Sequence, residues 1–122
     1  MTQYETFETW LNKYLILNIP PEVKAINFNL YESSGGEDEF DVQLIGAPQY
    51  ERDNPDWACN AIFSTGEDLC SIKAVDWEDC LQIVMEYIQK YLSFGTYAKK
   101  LKDILAVTVG FVDGDLEIIF EN

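Results

Sequence analysis

Twenty-two carboxylates, three thiols and seven phenols are the groups through which this 122-residue chain could act chemically, and it has no histidine. Without an imidazole there is no Ser-His-Asp constellation and no Cys-His pair, so the usual means of activating a nucleophile near neutral pH are missing. Cys59, Cys70 and Cys80 are odd in number and lie among apolar neighbours. That pattern suits buried, reduced thiols better than a disulfide framework, and a zinc site would need a fourth ligand that no histidine supplies. Asp113, Asp115 and Glu117 bring three carboxylates near one turn, but the EF-hand loop pattern is not met, and Asp113-Gly114 is accounted for by turn geometry. Ser33-Ser34-Gly35-Gly36 has the glycines of a phosphate cradle without its lysine or a following helix. Carboxylate pairs fit for acid-base work arise by chance in so acidic a chain and single out nothing. No catalytic residue, metal ligand set or cofactor is assigned.

The charge balance says more about partners than about reactions. Asp and Glu number 22 against 8 Lys and Arg, a net charge of -14. Nucleic acid and anionic membranes would be repelled, whereas a basic protein would be attracted and its encounter steered; plain solubility explains the same excess. Half of the basic residues, Lys90, Lys99, Lys100 and Lys102, fall close together, which predicts a cationic end near the second helix and anionic loops elsewhere. The first residues lack the basic and apolar regions of a signal peptide, and no apolar run approaches the ~18 residues of a membrane span, so a cytoplasmic protein is expected. Length and composition suit a single α+β domain over residues 1–122.

Two acidic loops are the candidate partner-binding residues: Glu37, Asp38 and Glu39 in one, and Tyr50, Glu51, Asp53 and Asp56 in the other. The second, residues 46–56, contains two prolines and exceeds the usual connection of about 4–6 residues, a length at which loops often carry function. Tyr50 belongs to a residue type enriched at interface hot spots. Trp57 has a simpler account as the first core residue of a strand.

The elements that must hold these loops follow from hydrophobic spacing. Thr2 and Glu5 form a capping box ahead of Phe7, Trp10, Leu11, Tyr14 and Leu15, an amphipathic helix that Pro20-Pro21 stops. Residues 23–31 and then Phe40, Val42 and Leu44 alternate as a hairpin around the glycine-rich turn at 33–38. Trp57, Cys59, Ala61 and Phe63 alternate as a third strand, and residues 69–73 pair back after Thr65-Gly66 as a fourth. Asp76 caps the best helix, with Trp77, Cys80, Leu81, Val84, Tyr87, Ile88, Tyr91 and Leu92 on its inward side. Gly95 serves as its C′ residue, and Thr96 caps a further helical segment with Tyr97, Leu101 and Ile104 inward. Residues 105–120 form a hairpin around Asp113-Gly114, in which Phe111 faces Leu116, Val109 faces Ile118 and Val107 faces Phe120. The order α-β-β-β-(β)-α-β-β predicts a two-layer α+β sandwich, a mostly antiparallel sheet of five or six strands with two amphipathic helices on one face.

Asp56-Trp57-Ala58-Cys59, the helix opening Asp76-Trp77-Glu78, Tyr91-Leu92 and Gly110-Phe111-Val112-Asp113-Gly114-Asp115 together resemble a group of small acidic bacterial proteins, mainly over residues 57–120. Some of that group are taken to be immunity proteins of polymorphic toxin systems. The resemblance implies a stoichiometric protein that binds and blocks a toxin of the same cell, with no chemistry of its own. A basic toxin, best a nuclease whose cationic groove the acidic loops would cover, is the expected partner. Two other classes stand beside it: a small enzyme or ligand-binding domain with a pocket between helix and sheet, and a self-associating structural module.

Overall fold

Local signals at the helix ends and the burial of one sheet face determine the architecture. The computed structural model of the chain describes all residues except Ser34, Gly35, Glu37 and Asp113. Helix α1 (Gln3–Leu15) begins at the predicted capping box: the Thr2 hydroxyl accepts from the Glu5 amide at 3.1 Å, and the Glu5 carboxylate accepts from the Thr2 amide at 2.9 Å. It buries Phe7, Trp10, Leu11 and Leu15. Strands β1 (Ala25–Glu32) and β2 (Glu39–Ala47) form the antiparallel hairpin. Strands β3 (Phe63–Ser64) and β4 (Cys70–Lys73) follow, then helix α2 (Trp77–Phe94), the short helix α3 (Ala98–Lys102), and strands β5 (Ala106–Phe111) and β6 (Glu117–Glu121).

The six strands form one sheet in the order β3-β2-β1-β5-β6, with β4 also on β2. Every pairing is antiparallel except β1 with β5. The sheet is a mixed one, because β5 is reached by a long crossover through α2 and so returns beside β1 in the same direction. Ile26, Phe28 and Leu30 of β1, Val42 and Leu44 of β2, and Val107 and Val109 of β5 point to the helix side, where they meet Phe7, Leu11, Val84, Ile88 and Tyr91. Two layers result, with the core between them.

The opposite sheet face is built differently. Ala25 lies beside Ala47 on one flank and Ala106 on the other, and this row of methyl groups makes a shallow trough that Trp57 fills. Further along, Asn27 and Thr108 are buried as a satisfied pair: the Thr108 hydroxyl reaches the Asn27 side-chain oxygen at 2.8 Å and the Ile26 carbonyl at 3.1 Å.

Several expectations are corrected. Trp57 and Cys59 belong to a 3₁₀ turn, Pro55–Cys59, and not to a strand; the Asn54 side chain accepts from the Asp56 amide at 3.0 Å, and proline at the first position sets helical φ. The third strand shrinks to two residues, and β4 pairs with β2 beyond it, Thr65 and Gly66 (φ 61°) turning the chain along the same edge. In the last hairpin Val107 does face Phe120, but a bulge then sets Thr108 against Ile118 and Val109 against Glu117. Ile119 thereby joins the core side, while Ile118 is exposed and Leu116 folds across Gly110 onto the Trp57 cluster. A side chain at 110 would collide with the Asp115 carbonyl, so glycine here admits that crossing. The turn residue Asp113 lies outside the described residues.

Gly95 is the C-cap of α2 in extended geometry (φ -69°); glycine is needed because a Cβ would lie 2.6 Å from the buried Tyr91 ring. Tyr97, not Thr96, occupies the N-cap of α3 and makes no side-chain cap. Cys70 and Cys80 are buried as expected, whereas Cys59 is exposed. Trp77, predicted to face inward, is 53% exposed. It is the first residue of α2, directly after the cap Asp76.

Candidate partner-binding surface

The predicted partner-binding residues do not form one patch. Asp38 and Glu39 stand at the start of β2, whereas Tyr50, Glu51, Asp53 and Asp56 follow its far end. Nine strand residues at ~3.3 Å each put the two groups roughly 30 Å apart. Glu37 lies outside the described residues.

The 50–56 loop is strapped down. Tyr50 meets Trp57 edge to face at 5.4 Å, and its hydroxyl donates to the Glu121 carboxylate at 2.5 Å. Burial first, and then that carboxylate, push the Tyr50 phenol up to about 12. Arg52 approaches the same carboxylate at 3.7 Å. Tyr50 is thus engaged within the molecule, while Glu51, Asp53 and Asp56 are exposed. This loop sits at the end of the sheet where Lys24 precedes β1, the same end at which Lys100 donates to the Leu15 carbonyl. The cationic end and one acidic loop therefore adjoin.

The other end of the sheet is mostly acidic, with Lys73 at the end of β4 opposite Glu39. Three connections meet there: the β1–β2 turn, the link from β4 into α2, and the β5–β6 turn. The Ala74 amide donates to the Asp38 carbonyl at 3.0 Å, the Ser33 amide to the Glu39 carbonyl at 3.1 Å, and the Val112 amide to the Leu30 carbonyl at 3.3 Å. Trp77 stands among them, with the Phe111 ring perpendicular to it at 6.1 Å and Phe40 behind Phe111 at 5.9 Å. A hollow of about 500 Å³ is lined by Trp77, Leu81 and Phe111 together with Glu32, Asp115 and Glu117. A second, about 540 Å³, lies between Trp77, Val75 and Phe40, with Glu32, Glu39 and Asp76 around it. Among the described residues no lysine or arginine lines either. Asp76 is committed to capping α2, accepting from the Asp79 amide at 2.9 Å. Among the described residues no ion pair reaches Glu32, Asp115 or Glu117.

Trp77 is the residue that periodicity misplaced. A 100° wheel puts it with Cys80, Leu81 and Val84, but a helix's first residue projects beyond the layer that the later turns cover. Its position immediately after an N-cap aspartate was the available signal.

The remaining reactive groups are quiet. Burial raises the Cys70 thiol to about 11 and the Cys80 thiol to about 12, so neither supplies a thiolate near neutral pH. Asp68 accepts from Lys13 and Tyr14, which hold its carboxyl below the usual range, and its carbonyl takes the Trp10 indole at 2.9 Å; these bonds pin the β3–β4 turn to α1. Among the described residues no three acidic or thiol side chains converge as a metal site, and no helix is long and apolar enough to cross a membrane. No protein-family model, no curated protein and no solved structure matches the chain.

Proposed function

We propose that this chain is a non-catalytic protein-binding module of the immunity type, which inhibits a basic toxin by covering its cationic surface. The observation that carries this is the Trp77 end of the sheet, where an exposed indole stands among Glu32, Glu39, Asp115 and Glu117 and, among the described residues, no basic one lines the hollows. Binding energy at protein interfaces concentrates on tryptophan, tyrosine and arginine, while the surrounding charge governs encounter. A nuclease suits the role, since a groove made to hold phosphates would be drawn to a surface of net charge -14.

The test is co-expression with the product of the adjacent gene. The expected result is that this product arrests growth alone, is tolerated together with the chain, and associates with it at a rate that falls steeply with salt. Neutralising Asp53 and Asp56 should slow that association slightly, and neutralising Glu32 and Glu117 should slow it more. Growth arrest that the chain does not relieve, or association indifferent to salt, refutes the proposal.

A further inference from the structure

Resting on the protein-binding reading above, we infer that the hollow beside Trp77 seats one arginine side chain of the partner, its guanidinium stacked on the indole and facing Glu32, Asp115 and Glu117. Three features favour this occupant. Lysines of the chain already lie over tyrosine rings elsewhere, Lys90 over Tyr4 at 4.2 Å, Lys100 over Tyr97 at 5.1 Å and Lys13 over Tyr14 at 5.2 Å, but among the described residues none covers Trp77, the better π surface. Glu32, Asp115 and Glu117 line a hollow of about 500 Å³, and among the described residues they do not group as a metal set. A planar, delocalised cation offers an apolar face to Trp77 and Leu81 and a fan of N–H donors to these carboxylates. An uncharged apolar anchor would bury carboxylates without partners, which is costly.

The experiment is an NMR titration of the isotope-labelled chain with acetyl-Gly-Arg-Gly-amide, its neutral citrulline analogue and its lysine analogue. The arginine peptide should move the Trp77 indole N–H and the amides of Glu32, Phe111 and Glu117. The lysine peptide should bind several-fold more weakly, and the citrulline peptide should leave these signals in place. Trp77→Ala, and separately Glu32→Gln with Glu117→Gln, should weaken the arginine peptide at least fivefold, while Asp53→Asn with Asp56→Asn should leave it unchanged. The inference is overturned if the shifts scatter over other carboxylates, if citrulline or lysine binds as well as arginine, or if both sets of variants stay within twofold of the parent. Toxin inhibition that survives Trp77→Ala would also remove the arginine seat while leaving the inhibitor standing. An arginine peptide seated at Trp77 with no toxin bound would do the reverse.

Discussion

Two tryptophans with similar sequence surroundings should respond oppositely to truncation. Trp57 is 5% exposed and fills the alanine trough, whereas Trp77 is 53% exposed and touches the fold on one side. An indole presents up to ~250 Å², so at ~25 cal/mol per Å² the burial of Trp57 corresponds to about 5–6 kcal/mol, an upper bound that a realistic unfolded chain brings to about 3–5. The same range is typical of buried Trp→Ala changes, about 3–5 kcal/mol including the cavity. For Trp77 roughly half the area is buried, an upper bound of about 3 kcal/mol that the same allowance brings to about 2. Trp57→Ala should therefore be the less stable of the two by about 2 kcal/mol. With a urea dependence of about 1.5 kcal/mol per molar, this separates the two unfolding midpoints by roughly 1.3 M. Equilibrium urea unfolding followed by far-UV circular dichroism reads the difference directly. Midpoints within about 0.5 M of each other, or a Trp77 variant that unfolds first, would refute the assignment of one indole to the fold and the other to the surface.

Gly95→Ala places a methyl against the buried Tyr91 ring, whose hydroxyl donates to Asn12 at 2.5 Å and accepts from the Tyr97 amide at 3.2 Å. Overpacking of this kind costs about 1–3 kcal/mol, and a thermal melt that does not move would show that the ring has room. In alkali, Tyr50 should ionise near 12, as Tyr4 and Tyr14 do, and its own step is the part of the late tyrosinate absorbance that Tyr50→Phe removes. Its folded value lies above the ordinary phenol value, so its contribution to stability is complete below about 10 and fades as the pH rises through about 12. Glu121→Gln should bring the step part of the way back, because burial, the larger cause, remains; an unmoved step would mean that the carboxylate has no hold on the phenol.

Much of the fold was legible because burial on one face enforces simple periods. Both long helices begin at the predicted caps, and the β1–β2 hairpin alternates as its sequence does. What was not legible depended on non-local packing. Trp57 and Cys59 alternate with Ala61 and Phe63 like a strand, yet Asn54-Pro55 imposes a tight turn whose benefit appears only once Ala25, Ala47 and Ala106 line up to receive the indole. The β5–β6 register was half right because the bulge after Val107 has no local signature; it follows from Leu116 crossing at Gly110. The acidic loops and aromatic residues were legible as sequence features, but not where the fold puts them. The grouping of carboxylates and aromatics followed the sheet: β2 carries its two acidic loops to opposite ends, and Trp77 stands beside hollows that, among the described residues, no lysine or arginine lines.

That separation bears on how a charged surface can be selective. A chain with 22 acidic residues attracts any cation weakly from all sides, and such a field accelerates encounter without choosing an orientation. Orientation needs charges fixed relative to a contact that excludes water. Glu32, Glu39 and Glu117 are strand residues, and the Ala74–Asp38 backbone bond ties the start of β2 to the link that carries Trp77, while the Ser33–Glu39 and Val112–Leu30 bonds hold the ends of β1, β2 and β5 together. Their positions are set before a partner arrives, so little ordering entropy is spent on docking. The 50–56 loop adds charge at a distance of roughly 30 Å, about the width of a standard interface of ~800 Å² per partner. A partner seated on Trp77 would reach that loop only by lying along the whole sheet. On the proposed reading the distant carboxylates would steer, and the residues around Trp77 would decide what stays bound.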